Sequence, residues 1–297
     1  MVLTRLAIAI LLVLACGGCA GSEDAGSEDA PSGVPAQDHR PQPGPAPDVA
    51  IPREAGPLAE RLVTTHRALD GAIERWRAVG DVRRGPPPEE VTLWALHEQR
   101  LHLLLSKRRR LASDVLAQTP GRIAAHVRAT LRAKRELNAL YVPVTRSHWK
   151  TGPAHPAGRL LANYREARRR FGVPVHVLAA VNLVESAFGR LRNTSTAGAQ
   201  GPMQFIPSTW VAYGMGGDIR DPRDAILGAA RYLRASGAPG DLRGALYAYN
   251  PADHYVNAVL AYANRIRRDP RAFFSYYSWQ VYVRTTAGTR RITGPGL

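Results

Sequence analysis

From Leu58 to Ile266 apolar side chains recur three and four positions apart, and Pro or Gly interrupts the pattern wherever it lapses. A period between three and four residues places those side chains on one stripe of an α-helix. Strands would need alternation instead, so the body of the chain must be built mainly from helices. Leu62, His66, Leu69, Ile73 and Trp76 form a first seam, ended by the stretch from Gly80 to Pro88. A second run, Val91 to Leu116, carries Leu93, Trp94, Leu96, Leu101, Leu104 and Leu105. A third follows Pro120-Gly121 with Ile123, Val127, Leu131, Leu137 and Leu140. Three helices joined by such turns predict a helical hairpin or small bundle over 58–142. It contains no convergent acid–base set, so it is expected to position the rest of the chain and to carry no chemistry.

Residues 143–157 contain Pro143, Gly152, Pro153 and Pro156, and a linker is expected there. Beyond it, 158–275 reads as a compact, mostly helical domain able to act without the preceding helices. One helix runs through Leu160, Leu161, Tyr164, Ala167 and Phe171 and stops at Gly172 and Pro174. A second carries Val177, Leu178, Val181 and Val184 and stops by Gly189. Asp221-Pro222 is a helix start, an Asp cap with Pro in the first turn, and Asp241 is expected to cap another helix. Tyr255, Val256, Val259, Leu260, Ala263 and Ile266 form a last seam. In the tail, 276–297, Trp279, Val281 and Val283 alternate with polar residues, which predicts a short β-hairpin.

The N-terminus sets the compartment. Arg5 precedes an apolar run, Leu6 to Ala15, too short to anchor stably across a bilayer but right for the core of an export signal. Val13-Leu14-Ala15-Cys16 resembles a lipobox, so residues 1–19 are expected to be a lipoprotein signal with Cys16 lipidated and Cys19 as the second candidate. Residues 20–57 hold Pro, Gly, Ala and acid, with GSEDA at 21–25 repeated at 26–30, and are expected to be a disordered tether. The mature protein is then expected at the outer face of the cell membrane or in the wall. These two cysteines are the only ones of the 297 residues, which removes disulfides, thiolate metal sites and a Cys nucleophile from everything after residue 19. The formal charge of +16 points to a polyanionic partner. In an exported protein that partner is an anionic wall polymer or a membrane surface rather than nucleic acid, and the Lys107-Arg108-Arg109-Arg110 run is read as a solvated face or a wall contact.

One carboxylic acid stands out. Glu185 lies in the last turn of the helix through Val177, one turn on from Val181 and two from Leu178 on the apolar stripe. Burial and the negative end of the helix dipole both disfavour its ionised form, which raises its pKa as a general acid requires. Behind it, Ala197-Gly198-Ala199-Gln200-Gly201-Pro202-Met203-Gln204-Phe205-Ile206-Pro207-Ser208-Thr209 and then Ala248-Tyr249-Asn250 complete an ordered set with Glu185-Ser186. The set, over about 158–268, resembles the lytic transglycosylases, whose catalytic domain is similar to goose-type lysozyme. The resemblance implies peptidoglycan glycan strands as substrate and no cofactor or metal. Glu185 would be the sole catalytic acid, and Ser186, Met203, Gln204, Tyr249 and Asn250 would line the substrate cleft. Pro202 stands where many members have Leu, and Pro251-Ala252-Asp253 replaces a common Ala-Gly. Residues 186–217 hold no acid, which suits a single-carboxyl mechanism; the resemblance implies a 1,6-anhydro-muramoyl product. Two alternatives stand beside it. One is a lysozyme-type hydrolase with Asp218 or Asp221 as the second carboxylate, and the other a non-catalytic wall-binding lipoprotein.

Overall fold

A computed structural model describes residues 43–140, 148–286 and 288–297. The signal, Cys16 and Cys19, most of the expected tether and part of the linker lie outside them. Among the described residues there are eleven helices and one two-stranded hairpin. Four helices come first: α1 (Ala55–Val79), α2 (Glu89–Lys107), α3 (Arg109–Ala117) and α4 (Gly121–Leu140). Then follow α5 (Ala157–Phe171), α6 (Val175–Ser186), α7 (Pro207–Tyr213), α8 (Pro222–Ala235), α9 (Leu242–Tyr249), α10 (Asp253–Arg268) and α11 (Arg271–Ser278). β1 (Tyr282–Thr285) and β2 (Gly288–Arg291) pair antiparallel, with Tyr282 opposite Arg291. No helix among the described residues is long and apolar enough to cross a membrane.

The punctuation acts as its chemistry dictates. Gly172 ends α5 in the left-handed region, φ 75°, returning its N–H to the carbonyl of Arg168. Asp221 caps α8, its side chain accepting from the N–H groups of Arg223 and Asp224, and Asp241 caps α9 through the N–H of Gly244.

Two expectations are corrected. The run Val91–Leu116 is not one helix: Arg108, at ψ 81°, separates α2 from α3. The break lets Ala112, Val115 and Leu116 fold back onto Leu58 and Leu62 of α1. The tail 276–297 opens as helix rather than strand, because Ala272 to Ser278 are buried without a solvent face and only β1 keeps the alternation. Upstream, residues 43–54 of the expected tether run along the helices. Arg100 donates to the carbonyl of Asp48, and Ile51 packs beside the cluster built on Leu58.

The linker at 143–157 does not divide the core. One buried cluster joins Ile73 and Trp76 of α1, Trp94 of α2 and Leu137 of α4 to Val181 of α6, Ile226 of α8, Val259 of α10 and Phe274 of α11. Polar groups cross the same seam. Gln99 Nε2 donates to the carbonyl of Gln280 while the N–H of Gln280 returns to Gln99 Oε1, at 2.8 and 2.9 Å. Ser275 Oγ donates to Glu98 Oε2, Thr130 Oγ1 meets the Tyr276 hydroxyl at 2.8 Å, and Lys134 Nζ sits 4.2 Å above the Trp279 ring. Helices α1, α2 and α4 therefore supply part of the wall against which α10, α11 and the tail are held.

Candidate active site

α6 is an almost wholly apolar helix, VHVLAAVNLVES, packed against α5, α8, α10 and α11. Glu185 is its penultimate residue and only 2% exposed. After Ser186 the chain turns through three successive left-handed residues, Ala187 at φ 51°, Phe188 at 62° and Gly189 at 81°. Such a run is costly outside glycine and persists only where packing demands it. Phe188 is held in the core by ring contacts with Phe273 and Tyr277. The turn ends α6 abruptly, leaving Glu185 at the helix terminus.

The Glu185 carboxyl receives a hydrogen bond from Tyr255, whose hydroxyl lies 2.6 Å from Oε1. Burial raises its pKa to about 8, and the Tyr255 bond opposes part of that rise. Glu185 is therefore protonated at neutral pH. Burial likewise lifts the Tyr255 hydroxyl well above its ordinary value, the nearby Glu185 carboxyl adding to the rise, so Tyr255 stays a neutral donor. A cavity of about 40 Å³ lies beside the carboxyl, walled by Leu137, Leu191, Trp279 and Tyr282; Glu185 is the only acid among its lining residues.

The other expected residues gather around this point with different tasks. The Ser186 hydroxyl donates to the carbonyl of Pro202 at 2.5 Å and accepts from the N–H of Gly189 at 2.8 Å. Asn182 Nδ2 donates to the same carbonyl, and Tyr164 donates to Asn182 Oδ1. Ser186 thus works as a strut clamping the loop at 201–204 to the end of α6. In that loop Gln200 and Phe205 bridge, and the four residues between them make a tight turn with Gly201 at φ 75° and Gln204 at φ 49°. A Cβ on Gly201 would run into the carbonyl of Ile219, so glycine is required. The Met203 side chain is fully buried, and its carbonyl accepts from the Tyr249 hydroxyl at 2.6 Å. Tyr249 and Tyr255 lie parallel, with interplanar angle 3° and centroids 6.5 Å apart. The loop, α9 and α10 are thereby coupled to the carboxyl.

Two buried amide atoms of the set have no protein partner among the described residues: Gln204 Oε1 and Asn250 Nδ2. Gln204 Nε2 is committed to the carbonyl of Gly201 at 2.9 Å. Buried polar atoms are normally satisfied, so a buried acceptor and a buried donor left open suit a ligand rich in hydroxyls and amides. Asp218 and Asp221 are engaged elsewhere. Asp218 Oδ1 accepts from the N–H of Arg220, and Asp221 caps α8. Trp210 donates to the carbonyl of Gly217 and packs on Phe205. Tyr276, Tyr277 and Trp279 are buried packing groups, of which Tyr276 and Trp279 reach the cavity beside Glu185.

Tyr255 is the residue the sequence reading missed. It was legible only as one member of the apolar seam of α10. The signal that could have found it is its own chemistry: a tyrosine inside an apolar stripe must find a partner for its hydroxyl.

A buried carboxyl at a helix end inside a mainly helical fold suits a lysozyme-like domain. The family model described as the transglycosylase SLT domain matches residues 162–269, which takes in α6, the 201–204 loop, α9 and α10. It supports a peptidoglycan-acting enzyme of lytic transglycosylase type. Helices α1–α4, α11 and the hairpin fall outside the match. No curated protein and no solved structure matches the chain.

Proposed function

We propose that this protein is a lytic transglycosylase that cleaves the β-1,4 bond between N-acetylmuramic acid and N-acetylglucosamine with Glu185 as its one acid and base. The observation that carries this reading is the setting of Glu185: buried at a helix end, its pKa pushed up by that burial, hydrogen-bonded by Tyr255 and without a second acid in its cavity. Glu185 gives its proton to the glycosidic oxygen. The bond from that oxygen to muramoyl C1 breaks, and N-acetylglucosamine leaves with a free 4-hydroxyl. The substrate's own acetamido oxygen bonds C1 and takes up the positive charge. Glu185, now a carboxylate, removes the proton of the muramoyl 6-hydroxyl, whose oxygen attacks C1 and displaces the acetamido oxygen. The product is a 1,6-anhydro end, Glu185 is protonated again and no water is consumed. A pKa near neutrality lets one group serve both steps.

Gln204 and Asn250 offer the open acceptor and donor for the sugar amides and hydroxyls, while Ser186, Met203 and Tyr249 hold the loop that presents them. The protein works outside the cell, held to the membrane by a lipid on Cys16, or on Cys19, so that it meets peptidoglycan strands and their anionic neighbours. Two measurements test the reading. Mass spectrometry of peptidoglycan digested by the purified protein should find anhydro ends; reducing ends, heavier by one water, would make it a hydrolase, and intact glycan a binding protein. Cys16→Ser should release the protein from membranes, and a Cys16→Ser, Cys19→Ser double variant that stays membrane-bound would remove the anchor.

A further inference from the structure

Lys134 is the only buried lysine among the described residues, 0% exposed, and it lies on α4. Its Nζ has no hydrogen-bond partner among them. An ammonium group taken out of water without hydrogen bonds is costly, and an apolar side chain of the same length would fill the space without that cost. What the amine does have is a ring: Nζ stands 4.2 Å from the centroid of Trp279, itself a buried residue.

Trp279 is gripped on its other sides as well. Its Nε1 donates to Glu98 Oε2 at 3.3 Å, and the rings of Tyr276, His102 and Tyr262 meet it edge-on with centroids 4.7, 5.9 and 6.4 Å away. Glu98 and Lys134 thus hold the indole from its edge and its face, and their opposite charges attract. The indole in turn lines the cavity beside Glu185, as does Leu137, one turn on from Lys134. A charge on α4 is thereby one aromatic ring away from the cavity of the Glu185 carboxyl. Lys134 and Trp279 both lie outside the matched residues 162–269.

We propose that Lys134 is a positioning residue for the reaction at Glu185, its ammonium ion fixing the Trp279 indole as a wall of the cavity. The proposal rests on the reading of Glu185 as a glycan-cleaving acid. Burial is what pushes the Glu185 pKa up, so an indole free to turn would admit water and weaken the acid's setting. Burial also lowers the Lys134 pKa to about 7, with Glu98 opposing the fall. The grip is therefore closed below pH 7 and loosens above it, as the ammonium ion gives up its proton. The other charged and titratable groups around this point are His66 of α1, Glu98 and His102 of α2, His126 of α4 and Arg265 of α10. Against the cost of burial, His66, His102 and Ser275 hold Glu98 at about 2, while burial holds His102 and His126 at about 4, so none of the three changes charge between pH 6 and 8. Arg265 pairs with Asp269 at 3.2 Å, and His66 serves as the control.

The test uses the full-length protein. In the wild type the near-ultraviolet circular dichroism of Trp279, taken as the difference from Trp279→Phe, should weaken as pH rises through about 7 while the far-ultraviolet spectrum stays unchanged. At the same pH kcat for glycan cleavage should step down by about two- to fivefold with KM unchanged, ahead of the steeper fall set by Glu185. That factor is the weight a modest cation–π contact gives the held orientation, the ring keeping its Glu98 bond in both states. Lys134→Met, similar in length and bulk, should show neither step and should already give the lower kcat at pH 6; His66→Gln should keep both steps. A Trp279 spectrum constant from pH 6 to 8 in the wild type, a folded Lys134→Met protein with wild-type kcat at pH 6, or steps that vanish with His66 instead would each overturn the proposal. The optical step needs no cleavage, so a protein that shows it but cleaves no glycan refutes only the reading of Glu185.

Discussion

Tyr255→Phe removes one oxygen from the protein and leaves the ring stacked beside Tyr249 in place. The lost hydroxyl is the one that donates to Glu185 Oε1 at 2.6 Å. That bond is made to both protonation states of Glu185 but is stronger to the carboxylate. Hydrogen bonds to charged groups contribute about 1.5–3 kcal/mol, roughly twice the neutral value, so the difference between the two states is about 1–1.5 kcal/mol. At 1.36 kcal/mol per unit this raises the Glu185 pKa by about one unit. In the wild-type protein burial holds that pKa at about 8. Cleavage requires the protonated acid, so kcat/KM should fall as pH rises through about 8, and in Tyr255→Phe the fall should move up by about one pH unit. The assay is the pH profile of glycan cleavage by the two proteins, with folding checked by circular dichroism. An alkaline limb at the same pH in both would refute the argument, because Tyr255 would then have no part in setting the proton affinity of Glu185. A uniform loss at all pH values without displacement would reduce Tyr255 to a packing residue.

Three further outcomes follow from the same geometry. His102 is buried against Trp279 with no hydrogen-bond partner for either ring nitrogen among the described residues, and burial depresses its pKa to about 4 against an ordinary 6.5. Its contribution to stability is present above 6.5 and lost as pH falls towards 4, so His102→Leu should flatten the acid side of a urea-denaturation series by about 1–3 kcal/mol, and an unchanged pH dependence would refute this. Gly201→Ala drives a methyl group into the carbonyl of Ile219 at φ 75° and should cost about 2–4 kcal/mol, read as a lower thermal midpoint; a stability equal to wild type would refute the requirement for glycine. A fragment of residues 148–297 leaves Val181, Val259, Phe274 and Trp279 without their partners on α1, α2 and α4, and should fail to unfold cooperatively; a stable, active fragment would restore the boundary expected at 143–157.

The parts of this fold that could be read from sequence are those governed by local chemistry. The Asp221-Pro222 cap, the stop at Gly172 and the place of Glu185 at a helix end depend on a few adjacent residues, and each is found where it was expected. The break at Arg108 was hidden because Leu101, Leu105, Ala112 and Val115 keep a helical spacing straight across it; only the return of α3 onto α1 decides it. The shared core was hidden because Pro and Gly at 152–156 mark a bend in the chain and say nothing about which faces meet beyond it. At the candidate site, the sequence pointed to Glu185, Gln204 and Asn250, and the structure buries all three. The Tyr255 hydroxyl, 70 positions away, could be assigned only once α6 and α10 were packed together. The strut role of Ser186 required knowing that the carbonyl of Pro202 lies 2.5 Å from its hydroxyl.

The central claim is that one proton on one residue does the chemistry, and replacing Glu185 with Gln tests it most directly. The substitution keeps the shape of the side chain and an acceptor for Tyr255, and removes the transferable proton. At pH 7 the unfolded chain ionises this carboxyl and the folded chain does not, a cost of about 3 kcal/mol that the amide avoids, so the variant should be at least as stable as the parent. General acid–base catalysis is typically worth about 10²–10⁴-fold, and with both roles on one residue the loss should sit at the upper end of that range. The measurement is the rate of anhydro-muropeptide release from peptidoglycan by the two folded proteins. The account predicts a loss of about 10⁴-fold with glycan binding retained. Release at a near wild-type rate from a folded Glu185→Gln protein would contradict it.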